Sequence, residues 1–212
     1  MLKQFAPCST LLFFLFVNPV FADTIIHAGK LIDGADGKVH EKKSIIVKSG
    51  MIVDVVNGYK NANDGDSIID LTEHTVMPGL MDMHTHLMMQ HHKKVYSDKF
   101  FLNDADFALR STVYAKRTLM AGFTTVRDLG DNGVITVSLR KAIAAGHIIG
   151  PRIYTSGKSL ATTGGHADPT NGQNGRFRED AGPESGVING VDDARKAVRT
   201  RYKNGANLIK LT

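Results

Sequence analysis

Residues 78–86 read Pro78-Gly79-Leu80-Met81-Asp82-Met83-His84-Thr85-His86, an apolar run that ends in two histidines. An apolar run of this length predicts a buried β-strand, and Pro78-Gly79 marks a turn before it. His84 and His86 are two residues apart, so on a strand their side chains project to the same face. Their Cα atoms would lie roughly 6.6 Å apart, a span that two imidazoles can close onto one metal ion. The stretch therefore predicts a metal site at the end of a strand.

The chain downstream of this stretch alternates apolar strands with amphipathic helices. We predict strands at residues 80–86, 124–128, 152–156 and 206–211, and helices at residues 104–121, 134–145 and 191–202. Strands this apolar are buried on both faces, and their alternation with helices is typical of βαβ units around a parallel sheet. The sequence therefore predicts an α/β fold for residues 78–212.

The chain upstream of the stretch follows a different pattern. Short β segments at residues 24–32, 44–48, 51–56 and 67–71 are separated by glycine, asparagine and aspartate, which are turn residues. Residues 23–77 are therefore predicted to form a small all-β unit.

Residues 1–22 have the layout of a cleavable secretory signal peptide. Lys3 precedes the apolar run at residues 11–17, and Ala22 stands just before Asp23. An uncleaved membrane anchor is the alternative, but the apolar run is far shorter than the roughly 20 residues that span a bilayer. The single cysteine, Cys8, falls inside this segment, so the mature chain would have no disulfide. We predict export to the periplasm or the medium, with no stable membrane anchor.

Composition narrows the class of protein. Of the 212 residues, 42% are hydrophobic and 22% are charged, which is ordinary for a globular protein. The formal net charge is +5, but the basic residues are interspersed with acidic ones and form no cationic stripe. Nucleic acid is therefore not a predicted partner.

Two further polar residues stand in the predicted strands. Asp82 shares a strand face with the two histidines, where its carboxylate could hydrogen-bond a ligating imidazole or satisfy other buried donors. Lys210 lies in the predicted strand at residues 206–211, where a buried lysine is costly unless it is paired or neutralised. A neutral amine can react with carbon dioxide to give an anionic carbamate that bridges two cations. An exposed lysine at a frayed chain end is the alternative.

The long polar stretch at residues 157–190 follows the third predicted strand. Loops this long in a compact domain are usually functional or mobile. His166 within it is either a residue that faces a substrate or a plain histidine of a surface loop. Arg127 and Asp128 end the second predicted strand, where we expect a local ion pair and no catalytic role.

Three motifs together resemble the amidohydrolase superfamily of metal-dependent hydrolases. They are residues 78–86, the segment Gly122-Phe123-Thr124-Thr125-Val126-Arg127-Asp128 and the segment Gly205-Ala206-Asn207-Leu208-Ile209-Lys210. The motifs occur in the family's order, and the resemblance covers residues 24–212. The chain is similar above all to the branch of imidazolonepropionase-like proteins and metal-dependent Xaa-Pro or Xaa-Arg dipeptidases.

The resemblance implies the first half of a (β/α)8 TIM-like barrel, preceded by strands of a small β-sandwich. It also implies a two-metal site, in which His84 and His86 bind the more buried ion and a carboxylated Lys210 bridges both ions. Zinc is the default metal, with manganese, cobalt or iron as alternatives. His166 would face the substrate, and Asp82 would support a ligating histidine.

The resemblance implies further residues that this sequence lacks. In the family, additional histidines come from strands five and six and the general base is an aspartate on strand eight, so no catalytic base is expected within residues 1–212. A whole barrel takes about 250 residues, so we expect a truncated chain that is inactive and poorly soluble by itself. The implied activity is hydrolysis of an amide bond in a dipeptide or related small molecule. A cyclic amide or imide hydrolase and a non-catalytic binding protein remain alternatives, and homo-oligomer formation at full length stays open.

Overall fold

The computed structural model describes residues 22–212, which fall into two compact units that divide between Pro78 and Gly79. The predicted signal peptide, including Cys8, lies outside the described residues except for Ala22. Within residues 22–212, no helix combines the length and the apolar character needed to cross a membrane.

The first unit is a four-stranded mixed sheet. Its strands are β1 (Thr24–Leu31), β2 (His40–Lys48), β3 (Met51–Asn57) and β4 (Ser67–Val76), arranged in the order β3-β2-β1-β4. Strand β2 pairs antiparallel with both β1 and β3, whereas β4 pairs parallel with β1. The predicted all-β unit is confirmed, with β2 and β4 longer than expected. The described part of this unit contains one sheet.

A tight turn and a small apolar cluster shape this sheet. Ser49 and Gly50 both have positive φ, at 48° and 77°, and a two-residue connection of this kind matches the natural twist of a hairpin. Ala28, Leu31 and Ile45 form the buried cluster on one face. The sheet is therefore held by local register and by a modest core.

The second unit is an α/β unit around a parallel sheet in the order β5-β6-β7. Its elements are β5 (Leu80–Thr85), α1 (Val95–Phe101), α2 (Asp104–Met120), β6 (Phe123–Asp128), α3 (Ile135–Ala144), β7 (Arg152–Thr155), a 3-10 turn (Pro183–Ser185) and α4 (Val191–Asn204). This arrangement confirms the predicted α/β class, and α2, α3 and α4 begin and end close to the predicted residues, whereas α1 was not predicted.

The helices of this unit follow from their sequences. Asn103 and Asp106 form a capping box at the start of α2, and α4 ends at Gly205, whose φ of 93° suits a residue without a Cβ atom. Ala115 of α2 joins Val126 and Ile153 in the buried core between helices and sheet. The core lies directly beneath the carboxyl ends of the strands, where it fixes the loops that follow them.

The predicted fourth strand at residues 206–211 is wrong. Leu211 makes a single parallel bridge to Leu160, and the remaining residues of the segment have no strand pairing. The preceding strand β7 ends at Thr155 and the chain then turns at Gly157, whose φ is 59°. Residues 206–211 therefore have no extended neighbouring strand with which to form a continuous hydrogen-bond ladder. Separate hydrogen bonds hold the segment instead.

Candidate active site

A pocket of about 290 Å³ opens at the carboxyl ends of the strands of the second unit. Its lining brings together His84, His86, His166 and Lys210, which come from β5, from the loop after β7 and from the segment after α4. Active sites of barrel enzymes are built at this end of the sheet. Four of the five residues singled out from the sequence therefore lie around one cavity, and Asp82 does not.

The two histidines face the pocket although the strand that carries them is irregular. Asp82 pairs with Val126 and Thr85 pairs with Asp128, so β5 has one more residue in this interval than β6, which is a β-bulge. The ring centres of His84 and His86 lie 5.4 Å apart. Two imidazoles on one tetrahedral ion, with metal–nitrogen bonds of about 2.0–2.1 Å, place their ring centres roughly 5 Å apart. The pair therefore fits a shared metal ion.

The tautomer of the neutral His86 ring is set by its hydrogen bond to the loop after β6. Its Nδ1 atom lies 3.0 Å from the carbonyl oxygen of Gly130, and a carbonyl oxygen can only accept a hydrogen bond. The ring proton is therefore on Nδ1, which leaves the Nε2 lone pair available for a metal. The His84 ring makes no hydrogen bond to any of residues 22–212, so its nitrogens are also available.

Asp82 contacts the backbone of the site and neither imidazole ring. Its Oδ1 atom accepts a hydrogen bond from the backbone N–H of His84 over 2.9 Å. The bulge interrupts the strict alternation of side chains, so Asp82 no longer shares the pocket face of the histidines. It satisfies a backbone donor, which is one of the two alternatives that its position in the sequence left open.

The expected ion pair between Arg127 and Asp128 is wrong. Consecutive residues on a strand point to opposite faces, and the two side chains have different partners. The Arg127 guanidinium donates to the carbonyl oxygen of Met83 over 2.7 Å. The buried carboxylate of Asp128 accepts the backbone N–H of Leu87 over 2.6 Å, and burial raises the pKa of Asp128 to about 6 despite this bond.

Lys210 lines the pocket without the strand that was predicted to carry it. Its side chain is partly exposed, and its carbonyl oxygen accepts the N–H of Leu160 over 2.9 Å. The expectation of a lysine buried in a strand is therefore wrong, because residues 206–211 lack strand pairing. The amine still lies on the same cavity as the two histidines, as a metal-bridging carbamate would require.

The long loop between β7 and α4 is held by hydrogen bonds between its own residues. Ala161 bridges Val187, and His166 lies near the buried Asp168. The Asp168 carboxylate accepts the backbone N–H groups of Gly164 and Thr170, and these bonds hold the pKa of Asp168 below its usual value. The loop therefore places His166 at the pocket through its own internal hydrogen bonds.

Sequence reasoning missed three charged residues that line the pocket, the exposed Lys99 and, on the loops that follow two strands, Asp131 and Lys158. Asp131 follows β6, and its carboxylate accepts bonds from the backbone N–H of Gly133 and from the N–H and hydroxyl of Thr136. Lys158 follows β7 and is half-buried. Their positions just beyond strand ends were the available signal, because side chains there point into the mouth of such a sheet.

A second group of potential metal ligands lies in the first unit. Asp33, Asp36 and His40 have ligand atoms within 4.8 Å of one another, on an exposed turn. Each carboxylate already accepts a backbone N–H, from Ala35 and Lys38 respectively, which is ordinary turn chemistry. We therefore assign no metal to this turn.

Comparison with known proteins places the second unit in a family. Residues 75–212 match the sequence model of the amidohydrolase family. Ochratoxinase from Aspergillus niger is 29% identical over 207 residues, an alignment that covers 89% of this chain and 41% of that protein.

Two solved structures are similar in both fold and sequence. A Xaa-Pro dipeptidase with methionine bound in its active site superposes with a TM-score of 0.85 and 45% identity, over 90% of this chain and 47% of that one. A prolidase in complex with N-methylphosphonate-L-proline gives a TM-score of 0.74 and 30% identity, over 90% and 46% of the two chains. The chain thus spans less than half the length of these relatives.

Proposed function

The chain belongs to the amidohydrolase family, and from this premise we propose that its pocket serves a metal-dependent hydrolase of carbon–nitrogen bonds, with dipeptides as substrates. The observation that carries the proposal is the convergence of His84, His86 and Lys210 on one cavity. The 5.4 Å separation of the His84 and His86 ring centres and the orientation of the His86 ring support the interpretation of this cavity as a metal site.

Each of these residues has a proposed role. His84 and His86 bind one divalent ion through imidazole nitrogen. The amine of Lys210 would add to the carbon of carbon dioxide and release a proton to the solvent, and the resulting carbamate would supply oxygen ligands to the metal site beside the two imidazoles. Zinc is the proposed metal, because it accepts nitrogen and oxygen ligands equally well. When bound, divalent ions at this site would lower the pKa of a water molecule and polarise the substrate carbonyl.

The relatives support the choice of a dipeptide as substrate. One of them is a Xaa-Pro dipeptidase and another is a prolidase bound to a proline phosphonate. In this chain, His166, Ala167 and Pro169 of the loop after β7 form one side of the lining of the pocket that also contains His84. We propose that His166 contacts the substrate from this side.

We also propose that residues 1–22 export the protein. The basic start, the apolar run and the small residue Ala22 support this proposal. Amino-terminal sequencing of the mature protein from its native host tests it, with Asp23 expected as the first residue. A mature protein that retains Met1 or Lys3 would overturn it.

Hydrolysis assays on the complete polypeptide encoded by the gene test the enzymatic proposal. Zinc-loaded protein should hydrolyse a member of a panel of Xaa-Pro and other dipeptides. Activity should disappear on treatment with dipicolinate and return with zinc. His84→Asn and His86→Asn should lose activity and bound zinc, whereas His147→Asn, at an exposed histidine away from the pocket, should keep both.

The same assays separate the alternatives. Hydrolysis of a cyclic imide without hydrolysis of any dipeptide would indicate that the substrates are cyclic amides or imides and not dipeptides. Dipeptide hydrolysis that survives both chelation and the two histidine substitutions would contradict the metal mechanism. Zinc binding without any hydrolysis would leave a metal-binding protein that has no catalytic role.

A further inference from the structure

We propose that Lys158 binds the carboxylate at the carboxyl end of the substrate, so that the pocket selects dipeptides with a free terminal carboxylate. This inference rests on the proposed function for the identity of the substrate. The recognition of a carboxylate by Lys158 can be measured separately from hydrolysis.

The backbone around Lys158 is held on the side away from the pocket. Its carbonyl oxygen accepts a hydrogen bond from Nε of Arg201 over 2.8 Å. Arg201 is only 3% exposed, and its Nη2 atom donates to the carbonyl oxygen of Pro183 over 3.4 Å. A buried guanidinium therefore fixes the position from which the Lys158 side chain enters the pocket.

The two residues after Lys158 connect it to both sides of the candidate metal site. The hydroxyl of Ser159 donates to the carbonyl oxygen of Leu129 over 2.6 Å, next to the Gly130 carbonyl that orients His86. The N–H of Leu160 donates to the carbonyl oxygen of Lys210. Residues 158–160 thus lie between the backbone that orients one proposed ligand and the backbone that carries another.

The charge on Lys158 has no partner within residues 22–212. No carboxylate of these residues lies within 4 Å of its Nζ atom, and the ammonium makes no hydrogen bond to them. Asp131 is the one acid among the described lining residues, and its oxygens already bind Gly133 and Thr136. Burial, followed by the neighbouring Arg201 charge, lowers the pKa of Lys158 from its usual value. An anionic group in the pocket would offset both effects.

A carboxylate is the anion that fits this place. A charge-assisted hydrogen bond to a half-buried ammonium is stronger than one in open water, because the surroundings are less polar. A dipeptide has its carboxylate two bonds beyond the nitrogen of the scissile amide, so one small pocket can hold both groups. Lys210 is already assigned to the metal site, and the third lysine of the lining, Lys99, is exposed, with its Nζ atom 5.6 Å from the centre of the Tyr96 ring. Its solvated charge makes it the weaker candidate.

Binding of a matched pair of unreactive probes tests the proposal. The probes are a methionyl-proline isostere in which the scissile carbonyl is reduced to CH2, prepared as the free acid and as the carboxyl-terminal amide. Calorimetry on the complete, zinc-loaded protein measures the affinity of each probe for wild type, Lys158→Met, Lys158→Arg and Lys99→Met. Lys141→Met, at an exposed lysine of α3 outside the pocket, is the matched control.

Wild type should bind the acid more tightly than the amide. Lys158→Met should weaken binding of the acid about 10- to 100-fold, leave the amide within about twofold, and unfold at the same denaturant concentration as wild type. Lys158→Arg should retain part of the preference for the acid, and Lys141→Met should retain all of it. In assays of dipeptide hydrolysis, Lys158→Met should raise KM more than it lowers kcat.

Several outcomes would overturn the inference. These are equal affinity of wild type for acid and amide, binding of neither probe, an equal loss for both probes in Lys158→Met, or a loss confined to Lys99→Met. A preference for the acid that depends on Lys158 in a protein that hydrolyses no dipeptide would support carboxylate binding and reject the proposed hydrolysis.

Discussion

The imidazole of His86 is oriented by the carbonyl oxygen of Gly130, which accepts a hydrogen bond from its Nδ1–H over an Nδ1···O distance of 3.0 Å. The two residues are 44 apart in sequence. An ideal Cβ atom at position 130 would lie 2.6 Å from Oγ of Ser159 and 3.4 Å from the His86 ring. The close approach of three segments therefore depends on the absence of a side chain at this glycine.

Gly130→Ala should weaken zinc binding about 10- to 100-fold, because loss of a partner that orients a ligating histidine typically has this effect. The added methyl group must displace Ser159 from the carbonyl of Leu129 or tilt the His86 ring. Competition with a chromophoric chelator measures the affinity. Gly175→Ala is the control, since nothing lies within 4 Å of its ideal Cβ atom. Equal zinc affinities of both variants and wild type would show that this contact does not prepare His86.

The stability of the metal-free protein should depend on pH through Asp128. Burial raises the pKa of Asp128 from 3.8 to about 6. Between these two values the folded protein holds a proton that the unfolded chain releases, so stability falls as pH rises from about 4 to about 6. The difference of about two pKa units corresponds to about 3 kcal/mol.

Urea unfolding at several pH values checks this expectation. Asp128→Asn carries no titrating proton, so the free energy of unfolding of wild type should fall relative to that of Asp128→Asn by about 2 kcal/mol between pH 4 and pH 6, which is the part of the full effect that lies in this range. Asp192→Asn, at a side chain that is 98% exposed, should follow wild type through the same range. Parallel curves for wild type and Asp128→Asn would rule out an elevated pKa at Asp128.

Much of this fold follows from periodicity in the sequence. The pattern of α2 predicted a helix that begins and ends within one residue of Asp104–Met120, and β6 is displaced by one residue only. Helix α1 was missed because it is seven residues long and buries none of them, so it has no apolar stripe to reveal it. The strand predicted at residues 206–211 failed because pairing depends on the neighbouring strand, which ends at Thr155.

Part of the candidate site could likewise be predicted from the sequence, and part of it could not. The rule that catalytic groups follow the carboxyl ends of parallel strands predicted a site at His84 and His86, and the resemblance to the amidohydrolase superfamily added Lys210 to it. The bulge in β5 and the bond from His86 to Gly130 join residues more than 40 apart. Such contacts leave no local pattern. Lys158 was overlooked because a single lysine in a polar loop looks like any solvated lysine until its burial is known.

Thr136 should prove important for stability, because its hydroxyl joins the loop after β6 to the end of β7 in the buried interior. It lies 2.6 Å from Oδ2 of Asp131 and 2.6 Å from Oγ1 of Thr155. Thr136→Val keeps the shape of the side chain and removes both hydroxyl contacts, although Asp131 keeps the N–H of Thr136 and Thr155 keeps the N–H of Gly157, so we expect a loss of about 1–3 kcal/mol. Ser138→Ala, on the exposed side of the same helix, should change stability by less than about 0.5 kcal/mol. Chemical denaturation compares them, and equal midpoints would argue against the network.

Arg201 should be the residue on which the loop after β7 depends most. Its guanidinium donates to the carbonyl oxygens of Lys158 and Pro183, which lie 25 residues apart at the two ends of that loop. Arg201→Met preserves much of the buried length of the side chain but leaves the Lys158 carbonyl without a donor and the Pro183 carbonyl with the N–H of Gly186 alone, and we expect a loss of about 2 kcal/mol in the free energy of unfolding. Arg201→Lys should be only partly better, because one ammonium cannot reproduce the planar fork that reaches both oxygens.

Limited proteolysis distinguishes a local effect of Arg201 from general destabilisation. If the guanidinium fixes the loop, Arg201→Met should be cleaved within residues 157–190 under conditions in which the rest of the chain stays intact. Arg199→Met, at an exposed arginine of the same helix, should resist cleavage like wild type and differ from it by less than about 0.5 kcal/mol in stability. Cleavage spread evenly over the Arg201→Met chain would instead mean that the arginine stabilises the whole unit, because a loop held independently of Arg201 has no reason to open first.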